Sequence, residues 1–331
     1  MSGLVYTKNA MNKVYAKYAA YINPLLKFIL ALLTFFIINV KIGYMDKINN
    51  GAIVLLVALF CSFMPLPFMA FMECIFILLH FYALSLEPAI VGAVFLFLMY
   101  ILFIRFTPKE SVLVLLMPIF FVLKIPYLMP LVAGLIGTPV SVITVAFGVG
   151  ISYLIEWTSA NAELFTATGD ATLINKLRVV IDGMLGNKSM IFMIVSFAVV
   201  VVMVYTIRKL AIKQSWLVAI ASGTVMDIIL LYVFLIKYNL DYSILGIMFG
   251  NLVSAVLAMV VTFFVHNLDY RKTENLQFED EEYYYYVKAV PKMGATGTKR
   301  KAPSVSSAVS RESSSTEHTY RTANGVKRTT R

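Results

Sequence analysis

GAIVLLVALFCSFMPLPFMAFMECIFILLHFYALS, residues Gly51 to Ser85, holds only two readily charged side chains, Glu73 and His80, in thirty-five positions. At about 1.5 Å per residue, one continuous helix of that length far overshoots a bilayer core of roughly 30 Å. The proline pair in Met64-Pro65-Leu66-Pro67 supplies the turn, because proline removes a backbone donor and disfavours helix in the residue before it. The chain therefore crosses, turns and crosses back, and both flanking loops face the same side of the membrane.

Composition points the same way. Apolar residues make up 60% and charged residues 14% of the chain, against about 45–50% and about 25% in soluble domains. The expected fold class is all-α: a polytopic transmembrane bundle of eight to ten membrane segments, including a re-entrant pair, followed by a disordered cytoplasmic tail. Cys61 and Cys74 lie within the hairpin spans, where a thiol behaves as a small apolar group, so no disulfide framework is implied. The first apolar run follows a basic stretch and has no cleavage site after it, which reads as an uncleaved first span.

Outward from the hairpin, residues 1–23 form a basic N-terminal segment in which Lys8, Lys13 and Lys17 stand among Val14, Tyr15 and Tyr18. This is the composition of an amphipathic helix on an anionic inner leaflet. Residues 24–266 form the transmembrane domain. Pro24 to Val40 crosses, the hairpin follows, and Pro88 to Phe106 returns to Arg105 and Lys109. In Ser111 to Trp157, Lys124, Pro126, Pro130 and Pro139 divide the chain into short pieces. Pro126 to Gly137 is a thin crossing or a re-entrant segment, tolerated where protein buries it. An outer segment, 158–188, carries an amphipathic stripe expected to lie flat on the interface. Met190 to Ile207, Trp216 to Ile236 and Ser243 to Val265 complete the crossings. Lys and Arg then fall inside at the N-terminus, at Arg105 and Lys109, at Arg208 to Lys213, and in the tail, as cytoplasmic loops require. Both termini are placed in the cytoplasm and the protein in the cell membrane.

Catalytic chemistry finds no support. No HExxH, CxxC or GxSxG occurs, and His80, His266 and His318 are far apart in sequence. No catalytic residue, metal site or cofactor is assigned, and the chain is read as a non-enzyme. Gly183 to Ser189 has the wrong spacing for a phosphate loop, and Asn187-Lys188-Ser189 also matches a glycosylation sequon.

Ionisable residues inside spans carry more information, since each is costly in lipid and normally faces protein or water. Glu73, His80 and Asp227 qualify. Glu73 and His80 are two turns apart on one helix face, about 10 Å along the axis. Asp227 follows Ala219 and Gly223 at four-residue steps on a small-residue face. These groups either line a path for a proton, cation or polar solute, or pin the helices by hydrogen bonds. Gly246, Gly250, Ser254 and Ala258 form a second small-residue face, suited to close packing within the chain or across a dimer.

The juxtamembrane segment 267–292 is acidic and then aromatic: Glu279, Asp280, Glu281 and Glu282 precede Tyr283, Tyr284, Tyr285 and Tyr286. Tyrosines offer large amphipathic area, which suits docking to a partner protein. Residues 293–331 carry eight basic and two acidic side chains, six of the net ten positive charges. That composition reads as a disordered tail meeting anionic lipid rather than nucleic acid.

The tail Phe278-Glu-Asp-Glu-Glu-Tyr-Tyr-Tyr-Tyr-Val-Lys-Ala-Val-Pro-Lys292 resembles the ending of polytopic membrane proteins of Gram-positive anaerobes that are labelled ABC-transporter permeases or uncharacterised. The opening Asn12-Lys13-Val14-Tyr15 through Asn23-Pro24-Leu25-Leu26-Lys27-Phe28 is similar to theirs as well. The resemblance implies a membrane permease served by a separate ATP-binding subunit docking near Pro65 and Arg208 to Lys213. The alternative reading is a non-transporting membrane scaffold that recruits cytoplasmic or envelope-assembly partners through its tail.

Overall fold

A computed structural model describes residues 2–166, 173–210, 214–238, 243–265, 274–279 and 284–289. In order the helices are α1 Ser2–Ile42, α2 Gly51–Phe63, α3 Leu66–Leu84, α4 Leu86–Phe106, α5 Ser111–Val122, α6 Leu128–Ile136, α7 Val142–Ala160, α8 Glu163–Thr166, α9 Leu173–Met184, α10 Lys188–Arg208, α11 Ser215–Tyr238 and α12 Ile244–Val265. Among the described residues, seven helical stretches are long and apolar enough to cross a membrane: Val14–Ile42, Leu66–Leu84, Leu86–Phe106, Pro139–Ala160, Asn175–Arg208, Ser215–Tyr238 and Ile244–Val265. Helices α2, α5 and α6 are apolar but shorter, at 13, 12 and 9 residues.

The double proline turns the chain as expected. Met64 and Pro65 are both extended, with ψ of 162° and 149°, and Pro67 sits in the first turn of α3, where a missing N–H leaves nothing unsatisfied. The Asn50 side chain caps α2 by accepting from the Ala52 N–H at 3.0 Å. Helices α3 and α4 are separated by Ser85 alone, which ends one and begins the other in an extended conformation. At the N-terminus the basic segment and the first span meet at a kink rather than at Pro24, which lies inside the helix. Helix runs from Ser2 to Ile42, with its kink at Tyr18 (φ −115°, ψ 16°), and a Tyr15 hydroxyl to Asn23 Oδ1 bond of 2.7 Å reaches across that kink.

Side-chain contacts sort the helix ends into two levels. At one, Lys27 Nζ donates to Met64 O at 3.0 Å and the Tyr100 hydroxyl donates to Pro67 O at 3.2 Å. Residues Pro108–Glu110 contact α3, Glu110 meets Ser141 and Arg208 meets Gly137 O, which puts these residues at this level, the Arg208 end. At the other, the Ser159 hydroxyl donates to Lys41 O at 3.1 Å.

Helices α5 and α7 run parallel: Glu110 meets Ser141, Met117 packs on Gly148, and the rings of Phe121 and Tyr153 lie 5.7 Å apart. Two parallel neighbours need a connector running back, and α6 is that connector. Leu128 to Leu135 are all buried, packed by α7, α10, α11 and α12. Backbone this short is tolerated at membrane depth because protein surrounds it.

Two apolar clusters hold the bundle. One gathers Phe35, Phe76, Phe81, Phe103 and Phe147 from α1, α3, α4 and α7. The other gathers Leu131, Ala133, Val200, Val204, Ala219 and Ile220 from α6, α10 and α11. Amphipathic α9 buries Val180 and Met184 and leaves Val179 and Ile181 exposed, and its Gly183 lies against the Trp157 ring.

Residues 1–268 form one compact unit and 269–331 a second. In the second, β1 Glu274–Glu279 and β2 Tyr284–Ala289 pair antiparallel, with Glu279 opposite Tyr284 and Glu274 opposite Ala289. This strand pair is an addition to the all-α expectation: a run of aromatic and β-branched residues such as Tyr284 to Val287 suits a pleated ladder. Asp280, Glu281, Glu282 and Tyr283, like the basic tail 293–331, lie outside the described residues.

Candidate functional site

The ionisable residues singled out inside the spans occupy three different environments. His80, on α3, is fully buried and fully paired. The Met45 N–H donates to its Nδ1 at 3.2 Å, so Nδ1 is the acceptor and Nε2 carries the proton that goes to Asn39 Oδ1 at 2.8 Å. Asn39 Nδ2 then donates to Ile48 O at 3.0 Å. His80 and Asn39 thus clamp the loop between α1 and α2. Tyr44 in that loop faces Ser159, and burial raises its hydroxyl above the usual tyrosine range against the opposing pull of that contact.

Glu73, two turns earlier on α3, has no such partners. It is fully buried beside Ala70, Cys74 and Ile77, and neither carboxyl oxygen makes a hydrogen bond. The shared face therefore does not join Glu73 and His80 into one polar route.

Asp227 lies at the meeting of three helices. Its Oδ1 accepts from the Ser196 hydroxyl of α10 at 3.1 Å, and Asn251 of α12 lies beside its carboxyl. Asp227 Oδ2 and Asn251 Oδ1 are both buried without a hydrogen-bond partner. The small residue one turn away, Gly223, packs directly on Val204 and Leu131. Ser196 and Asn251 escape a reading of the sequence that counts only ionisable groups; a carboxamide inside an apolar span was the available signal for Asn251.

At the Arg208 end a second polar group closes the break after α6. Glu110 accepts from the Ser141 hydroxyl at 2.6 Å and from the Thr144 hydroxyl at 3.2 Å. Arg208 donates through Nη1 to Leu135 O and through Nη2 to Gly137 O at 3.3 Å. The carbonyls freed where α6 stops are thereby satisfied, as a helix end buried in a membrane bundle requires. Charge bias alone assigned Arg208 to a loop; the structure gives it this second task.

The small-residue face of α12 is uneven. A Cβ on Gly250 would come within 2.8 Å of Tyr127 Cε2 and 2.9 Å of Lys124 O. Ser254 and Ala258 are buried, whereas a Cβ on Gly246 would meet only Ser243, no closer than 3.5 Å. The Asn187 side chain caps α10, accepting from the Ser189 N–H at 3.0 Å and the Met190 N–H at 3.3 Å. Cys61 and Cys74 are buried and unpaired. Among the described residues, no group of three His, Cys, Asp or Glu is placed to hold a metal ion.

Fold and site together define a helical multi-pass membrane protein with one acid at a three-helix junction. No protein-family model matches the chain, and neither a curated protein nor a solved structure matches it.

Proposed function

We propose that the chain is a permease-like membrane subunit that moves a polar solute across the cell membrane. The observation that carries this reading is the broken helix α6, buried against α10, α11 and α12, in the same part of the bundle as the Asp227, Ser196 and Asn251 junction. Interrupted helices beside an intramembrane acid are the usual construction of a solute or ion site, because the acid supplies charge where the helix is not continuous.

On this reading α2, α5 and α6 are thin membrane segments that bring the total to ten, with both termini and the Arg208 end in the cytoplasm. The turn at Pro65 and the loop after Arg208 offer a separate ATP-binding subunit its docking surface. The basic tail meets anionic lipid of the inner leaflet. No enzymatic step, cofactor or nucleic-acid partner is assigned to the chain itself.

The test is solute counterflow in vesicles reconstituted with the full-length protein, using a panel of amino acids, sugars, peptides and nucleosides. Uptake of at least one class, lost in Asp227→Leu while insertion is retained, is the expected result. No uptake across the panel, in a preparation that inserts and unfolds cooperatively, would sink the permease reading.

A scaffold is the second reading, and the antiparallel pairing of β1 with β2, one on either side of the acidic run, favours it. Under that reading, removal of residues after Leu276 abolishes partner capture and removal after Lys292 does not.

A further inference from the structure

We propose that the groove between α1, α5 and α7 at the Lys41 end binds a small amphipathic zwitterion, an α-amino acid with an apolar side chain. The binding stands by itself; its use as the transported solute rests on the permease reading.

Three helices end side by side here: α1 at Ile42, α5 at Val122 and α7 at Ala160. The Ser159 hydroxyl on Lys41 O at 3.1 Å ties α7 to α1. About one turn deeper, the Thr34 hydroxyl on Leu115 O at 3.2 Å ties α1 to α5. Between these ties the helices leave a cavity of about 240 Å³. Each contributes a stripe at three- or four-residue steps, which for α7 is Ser152, Ile155, Glu156 and Ser159. Ile38, Pro118 and Ile155 make a buried apolar floor, while Lys41, Glu156 and Ser159 are exposed at the rim.

Opposite charges thus line one cavity without cancelling. Among the described residues the ion pair within 4.0 Å is Arg178 with Asp182, so Lys41 and Glu156 do not neutralise each other. The Ser152 and Ser159 hydroxyls give their protons to Gly148 O at 2.9 Å and Lys41 O at 3.1 Å, and each keeps lone pairs for a further donor. The groove therefore offers one cationic donor, Lys41, and acceptors on Glu156, Ser152 and Ser159. The C-terminal ends of three helices add partial negative charge at this level. A simple anion would find Lys41 and be opposed by Glu156; a simple cation would be opposed by Lys41. A zwitterion satisfies both, with its carboxylate toward Lys41 and its ammonium toward Glu156 and the hydroxyls.

Size and floor select within that class. At about 30 Å³ of liquid volume per water, the cavity equals roughly eight waters, which suits a body with about that many non-hydrogen atoms. Leucine is of this size and a two-chain lipid is far larger. An aliphatic or aromatic side chain gains by leaving water for Ile38, Pro118 and Ile155. The groove is separate from the Asp227 junction. Its wall residue Phe121 packs its ring on Tyr153 at 5.7 Å, and Asp227, Ser196 and Asn251 are not among its walls.

Equilibrium binding of radiolabelled leucine to the full-length protein in lipid nanodiscs tests this. Saturable binding is expected, with glycine, which lacks the apolar body, competing about tenfold or more weakly. Two leucine analogues assign the charges by displacement: isocaproate lacks the ammonium and leucinamide lacks the carboxylate. Glu156→Gln should weaken leucine and leucinamide by about tenfold and leave isocaproate unchanged or tighter. Lys41→Gln should weaken leucine and isocaproate by a similar factor and leave leucinamide unchanged. Both side chains are exposed, so both variants should keep the parent's unfolding midpoint. No saturable leucine binding in a preparation that unfolds cooperatively overturns the proposal, as does an equal loss for all three ligands in both variants. A phospholipid retained in native mass spectrometry and lost in both variants, with leucine unable to displace it, would give the groove to lipid and overturn it too. Leucine binding without counterflow of any solute would leave the site standing and remove the permease reading. Counterflow of a sugar or nucleoside without leucine binding would do the reverse.

Discussion

Glu73 and Asp227 are both buried acids, yet only Asp227 has polar neighbours, and that difference predicts opposite responses to substitution. Glu73 is surrounded by apolar packing with both oxygens unpaired, so Glu73→Met removes two desolvated polar atoms while keeping the volume. The unfolding midpoint in detergent should rise, by an amount corresponding to about 1–3 kcal/mol. A fall would mean that Glu73 has a partner or a function that this packing does not reveal. His80 calls for a different measurement. It is satisfied on both nitrogens, so His80→Leu and Asn39→Leu should each lower the midpoint, and the double variant should lose less than the sum because the second change removes an already orphaned group. Strict additivity would show that the two side chains do not act as one clamp.

At the level of the element, the four-residue spacing of α12 was legible and its inequivalence was not. The pattern Gly246, Gly250, Ser254, Ala258 states that one face is small, but which positions meet a neighbour depends on where α6 begins, and that is set by the turn through Lys124 and Pro126 far away in the chain. Gly250→Val should lower stability by about 1–3 kcal/mol through overpacking on Tyr127 and the Lys124 carbonyl, while Gly246→Val should fall within about 0.5 kcal/mol of the parent. Denaturation in mild detergent compares them directly; equal losses would place Gly246 in an interface between copies. The same limit explains the rest of the site. Spans that are apolar all round have no period to mark the face that packs, so Ser196 and Asn251 could not be matched to Asp227. The hairpin could be read because its signal is local: proline chemistry acts on adjacent residues. The strand pair of the tail was missed because tyrosine-rich runs carry no helical or strand alternation strong enough to decide.

For the molecule as a whole, parity is the open quantity. The seven long stretches alone would leave the two ends of the chain on opposite sides of the membrane, and counting α2, α5 and α6 restores them to one side. Contacts favour the larger count, since α5 and α7 run parallel and α2 returns the chain from the Lys41 end to the Met64 level where Lys27 lies. The positions of Lys and Arg agree with a cytoplasmic Arg208 end. Single cysteines at Leu66, Lys109 and Leu210 should therefore resist an impermeant thiol reagent in intact cells lacking Cys61 and Cys74, and cysteines at Asp46 and Asp182 should react. Epitopes fused to the two termini should both be silent until the cells are opened. Ready labelling at Leu66 with protection at Asp46 would invert the first half of the bundle; one terminus reporting from outside would remove an odd number of the thin segments from the count, and α6, the shortest, would be the first to go.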